Sequence, residues 1–90
     1  MLAIAGVTQA SENVPVKVIE VFDSSNEALA GVKIELVGTG KSFYTGISGK
    51  ANIPLNLLQQ AEYVKVDYIS YKSLKLNISE LNSKIILVNR

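Results

Sequence analysis

Val32, Ile34 and Leu36 alternate with Lys33 and Glu35, the period-2 pattern of a strand that buries one face. Glycines bracket this run at Gly31 and at Gly38-Thr39-Gly40, where tight turns need positive φ or close backbone approach. A short strand over Ser42 to Thr45 follows, with Phe43 and Tyr44 on opposite faces, and then a second turn, Gly46-Ile47-Ser48-Gly49-Lys50. The stretch from Ala28 to Gly49 therefore reads as turn, strand, turn, strand, turn.

The same pattern runs along the rest of the chain. Val14 to Asp23 is a strand in which Val14, Val16 and Val18 share one parity and Ile19 and Val21 the other. That change predicts either a bulge or a strand covered on both faces. Pro15 belongs at a strand start or edge, because it has no N–H to give. Asp23-Ser24-Ser25-Asn26-Glu27 is a turn cluster; it lacks the spacing and the glycine of an EF-type calcium loop. Ala51, Ile53, Leu55 and Leu57 alternate with Asn52 and Asn56, with Pro54 breaking the run or placing it at an edge. One helical turn fits Leu58 to Glu62. Val64, Val66 and Tyr68 form the next strand face, Leu74, Leu76 and Ile78 another, and Lys84 to Val88 a mostly apolar last strand. Short strands at roughly 8–12-residue spacing, without an amphipathic helix, predict an all-β antiparallel sandwich of about seven strands; a small open barrel is the alternative.

Composition narrows the chemistry. Ninety residues, 48% hydrophobic and 19% charged, make one small domain with a real core. There is no cysteine and no histidine, which removes disulfides, zinc sites of the usual kind and both serine–histidine and cysteine–histidine pairs. Nine basic residues stand singly against eight acidic ones, whereas a nucleic-acid binder clusters its charge, so no nucleic acid is expected. Gly38-Thr39-Gly40-Lys41 is a hairpin turn, since Glu35 stands where a phosphate loop needs its first glycine. Glu20, Asp23 and Glu27 read as solvated carboxylates, and Asn77-Ile78-Ser79 matches a glycosylation pattern too short to weigh much. No catalytic, cofactor or metal residue is expected. An aromatic ligand surface would fall to Tyr44, Tyr63 and Tyr71, set against the plainer reading that such rings pack on their cross-strand neighbours; Tyr71 also has the look of a corner tyrosine that ties a turn.

Met1 to Ala10 is apolar, rich in small residues and too short to span a bilayer. With Thr8-Gln9-Ala10 as a small-x-small site, it reads as the back half of a signal peptide without its basic start; a tail or a first strand are the other readings. The division expected is 1–13 as leader remnant or tail and 14–90 as the folded domain.

Val21-Phe22-Asp23, then Leu29-Ala30-Gly31-Val32-Lys33-Ile34-Glu35-Leu36-Val37-Gly38-Thr39, then Thr45-Gly46-Ile47-Ser48-Gly49-Lys50-Ala51 and Asp67-Tyr68-Ile69-Ser70-Tyr71 follow one another in an order and spacing that resembles the carboxypeptidase regulatory-like domains, also called transthyretin-like or prealbumin-like. Ala28 stands where that family usually has proline, Gly46 for aspartate, Ala51 for an aromatic and Ser70 for glycine. The resemblance implies a non-catalytic seven-stranded sandwich without cofactor. It also implies an exported protein of the periplasm, outer membrane or cell surface, as at the N-terminus of TonB-dependent outer-membrane receptors. The partners it implies are other domains of a larger parent protein or an envelope protein.

Overall fold

Strand β1 (Val16–Asp23) is the centre of one sheet, paired antiparallel with β4 (Lys50–Pro54) and parallel with β7 (Lys84–Leu87). The second sheet runs β3 (Lys41–Tyr44), β2 (Lys33–Val37), β5 (Tyr63–Asp67), β6 (Leu74–Leu76), antiparallel throughout. The computed structural model describes residues 15–89. The leader or tail expected at 1–13 and the strand position expected at Val14 lie outside the described residues. Over the described residues the chain is the expected all-β sandwich of seven strands.

The core lies between the sheets. Ile19 and Val21 of β1, Ala51 and Ile53 of β4 and Ile85 and Leu87 of β7 share one core cluster with Ile34, Leu36, Val64 and Val66 of the other sheet and with Val32 just before β2. Phe43, Tyr68, Leu74 and Leu76 pack against this cluster from its margin. The alternation around β2 appears as expected: Ile34 and Leu36 are fully buried while Lys33, Glu35 and Val37 are not.

Two local expectations are revised. In β1 there is no bulge: Val16 to Glu20 pair in unbroken register with Pro54 to Lys50. The Ile19/Val21 parity points inward, and Val16 and Val18 lie on the outer face, which no described element covers in full. The second revision follows Pro54. Leu55 and Leu57 do not continue the strand; helix α1 (Leu55–Gln60) begins directly after the proline. Pro54 pairs with Val16 at the start of β1, and the Leu55 N–H makes a last bond to the Pro15 carbonyl (3.0 Å). Beyond that point β4 has no partner strand among the described residues. The backbone satisfies itself by coiling, and Leu58 enters the core. A single 3₁₀ turn (Ile78–Glu80) then carries the chain from β6 towards β7, with the Glu80 carboxylate accepting from the Asn77 N–H at 3.3 Å and Leu81 buried behind it.

One end of the sandwich is stitched by Thr45, just past β3. Its hydroxyl donates to the Leu29 carbonyl (2.6 Å) and accepts from the Val32 N–H (3.0 Å). The Gly31 N–H reaches the Thr45 carbonyl at 2.8 Å. Asp23 organises the neighbouring turn, its Oδ1 accepting from the Ser25 and Glu27 N–H groups at 2.8 and 2.9 Å. The turn cluster is thus closed by its own carboxylate, as the sequence predicts for a solvated turn.

Candidate interaction surface

The three tyrosines lie in three places. Tyr44 is outward on edge strand β3, 61% exposed, opposite Lys33. Tyr63 begins β5 and is half-buried, with the Lys75 ammonium 4.5 Å from its ring centre. Lys33 also pairs with Asp67 at the far end of β5, so Tyr44 and Tyr63 are separated by four residues of strand, about 13 Å, as well as by β2. Tyr71 lies in the loop after β5, its ring 5.6 Å from that of Tyr68 and its backbone bridged to Asn89. The fold spreads these rings rather than gathering them into one platform.

An open cleft of about 400 Å³ lies at the same end as Thr45, lined by Gly31, Asp67, Tyr68 and Ile69. Its one charged group is already engaged. The Asp67 carboxylate accepts from the Ser73 hydroxyl and lies 3.6 Å from the Lys65 ammonium. Among the described residues no three acidic, histidine or cysteine side chains gather as a metal site, and no helix is long and apolar enough to cross a membrane.

The outer face of the β4–β1–β7 sheet is different in character. Its register sets side chains in rows. Pro54 and Val16 form one row, and Asn52 and Val18 the next. Lys50, Glu20 and Lys84 form the middle row. Phe22 and Ile86 follow. Val16, Val18 and Ile86 are 45%, 42% and 42% exposed. Two apolar zones thus flank one charged row. In that row Lys50 pairs with Glu20 at 3.6 Å, whereas the Lys84 ammonium lies 4.7 Å from the Phe22 ring centre and 3.3 Å from the Asn26 amide oxygen. The outer face of the other sheet carries Lys33, Glu35, Lys65, Asp67 and Lys75, together with Tyr44 and Tyr63.

No family model, curated protein or solved structure matches this chain. The site therefore rests on its own geometry.

That geometry can bury apolar area against another surface and fix its register by charge, which is what an interaction face does. The pattern of apolar residues at both parities of β1, and again at Ile85, Ile86 and Leu87, is its trace in the sequence. A strand with one apolar face announces which side is core; a strand with two does not, so local periodicity leaves these outward residues unassigned.

Proposed function

We propose that this chain is a non-catalytic interaction domain of an exported cell-envelope protein, and that it holds a neighbouring domain or protein against the outer face of its three-stranded sheet. The observation that carries this reading is the exposed set Val16, Val18 and Ile86 on one sheet face, whereas the outer face of the other sheet mixes charged side chains with the open ring of Tyr44. Isolated exposed apolar residues are common on any protein, but a set aligned on one sheet face is the usual mark of a contact surface. The envelope setting, including placement ahead of a TonB-dependent receptor, comes from the sequence resemblance and from the apolar, small-residue run Met1 to Ala10.

Site-specific photo-crosslinking in cells that make the native gene product tests this directly. A crosslinker at Val18 or Ile86 is expected to give a discrete protein adduct in the envelope fraction, and one at Lys65 on the opposite face to give none. Equal labelling from both faces, or none from Val18 and Ile86, would remove the reading. A second reading, a small carbohydrate-binding module, draws on the open ring of Tyr44. Chemical-shift changes at Tyr44 or Tyr63 on titration with oligosaccharides would put it first.

A further inference from the structure

Strand β1 is flanked unevenly. Its second half has neighbours on both sides: β7 pairs with Glu20 to Asp23, and on the other side Val21 donates to the Gly49 carbonyl (2.8 Å) and accepts from the Leu29 N–H (3.0 Å). Its first half, Val16 to Ile19, pairs with β4, and on the β7 side it faces no described strand. Main-chain groups along a strand point alternately to its two flanks. The Glu20 N–H reaches the Ser83 carbonyl on the β7 side at 2.7 Å, while Val21 bonds on the β4 side. Val16 and Val18 share the direction of Glu20, so their N–H and C=O groups open into the gap. Lys17 stands between them on the parity of Ile19 and Val21, half-buried and without an ion pair among the described residues.

We propose that a partner adds one antiparallel strand to this flank, bonding to Val16 and Val18 and setting a carboxylate side chain opposite Lys17, with a β-branched apolar residue on either side of that acid. This rests on the interaction reading above, whose face begins at the same two valines, and adds how the partner is held and what it carries. A row of open N–H and C=O groups is met in full by another extended chain. Residues opposite each other in an antiparallel pair share a face, their Cβ atoms about 5 Å apart. A strand laid here covers Lys17, which is unfavourable unless an opposite charge arrives with it. A second copy of β1 fails this condition, because pairing each Val16 with the other copy's Val18 sets Lys17 against Lys17. The chain's own residues before Pro15 fail it too. Val14-Pro15 lacks the glycine or asparagine that a two-residue hairpin turn uses. Any wider turn sets Ser11 or an earlier residue opposite Lys17, and none of these is acidic. Lys17 thus rejects neutral and basic strands and admits an acidic one.

The test uses the whole chain, amide hydrogen exchange read by NMR, and two capped synthetic peptides, Thr-Val-Glu-Val-Thr and Thr-Val-Lys-Val-Thr. In the free chain the Val16 and Val18 amides are expected to exchange about tenfold faster than those of Lys17 and Ile19, which face β4. The glutamate peptide is expected to slow both valine amides and to bind about tenfold more tightly than the lysine peptide at about 50 mM salt. N-methylation of its two valines is expected to abolish binding, since those N–H groups face β1 in the added strand. Lys17→Glu is expected to reverse the preference between the peptides and Lys17→Gln to remove it, each variant being checked for its fold by its amide spectrum. Val16 and Val18 amides already protected in the free chain overturn the proposal, in favour of a second copy if dilution releases them and of residues 1–14 if it does not. Equal affinity for the two peptides overturns the assignment to Lys17, and binding that survives N-methylation overturns strand addition. Binding of neither peptide, while the Ile86 crosslink to an envelope protein still forms, overturns the added strand and leaves the interaction reading standing. Loss of that crosslink as well removes both.

Discussion

Thr45 is the one buried polar side chain among the described residues, and both of its side-chain hydrogen bonds reach back to the segment before β2. Thr45→Val keeps the shape and removes the hydroxyl, which strands the Val32 N–H and the Leu29 carbonyl. It is expected to cost about 1–3 kcal/mol, read as a lower urea midpoint at unchanged slope, with Thr45→Ser losing less. Gly49 is a second fixed point. Its φ is +80°, and an added Cβ would lie 2.9 Å from both the Ala28 Cβ and the Val21 carbonyl oxygen. That carbonyl is held by the Leu29 N–H at 3.0 Å and cannot easily retreat. Gly49→Ala is therefore expected to destabilise by more than about 2 kcal/mol, combining left-handed strain with overpacking. Gly40→Ala, at φ +75° but with open space around it, pays only the strain, about 1 kcal/mol. Equal losses at the two positions in thermal or urea unfolding would contradict this. Both glycines read as turn residues in the sequence; only the tertiary contact between the 45–49 turn and β1 separates them.

At the scale of the element, β1 and β2 show where a periodic pattern is informative. Lys33 and Glu35 mark the outer side of β2 without ambiguity. Along β1 the valines at 16 and 18 and the pair Ile19 and Val21 make equal claims on the core, and the decision falls to the sheet that covers one side. Ile19→Ala is expected to cost about 2–4 kcal/mol as a cavity in a filled core. Val18→Thr, on the outer face, is expected to change stability by less than about 0.5 kcal/mol. Paired denaturation curves check both, and a reversed order would mean that the strand faces the other way. The residues after Pro54 show a different limit. Leu55 and Leu57 continue an alternation begun at Ala51, while Leu55 and Leu58 also fit a helical step. The helix begins where the pairing with the start of β1 stops, and among the described residues Leu55 onward has no strand to pair with.

Across the whole molecule, the first and last strands are neighbours. β7 joins the sheet by parallel pairing to the second half of β1 and brings Ile85 and Leu87 to the core. A domain of this size has a margin of only about 5 kcal/mol, less than the loss of two large core side chains. Truncation after Asn82 is therefore expected to abolish cooperative thermal unfolding, seen as loss of a calorimetric transition and of dispersed amide resonances. The two ion pairs, Lys50 with Glu20 and Lys65 with Asp67, are partly exposed and cannot make up such a loss.

The sequence by itself determined the class of the fold, most strand positions, the turns and the absence of cysteine and histidine chemistry, because each of these is carried by neighbouring residues through period, backbone preference or composition. Tertiary structure alone decided which parity of β1 is core, where β4 stops, that β7 lies parallel to β1, and hence that Val16, Val18, Phe22, Ile86 and Lys84 share one face. Those facts depend on pairings between residues far apart in the chain, and local periodicity holds no record of which distant strand lies alongside.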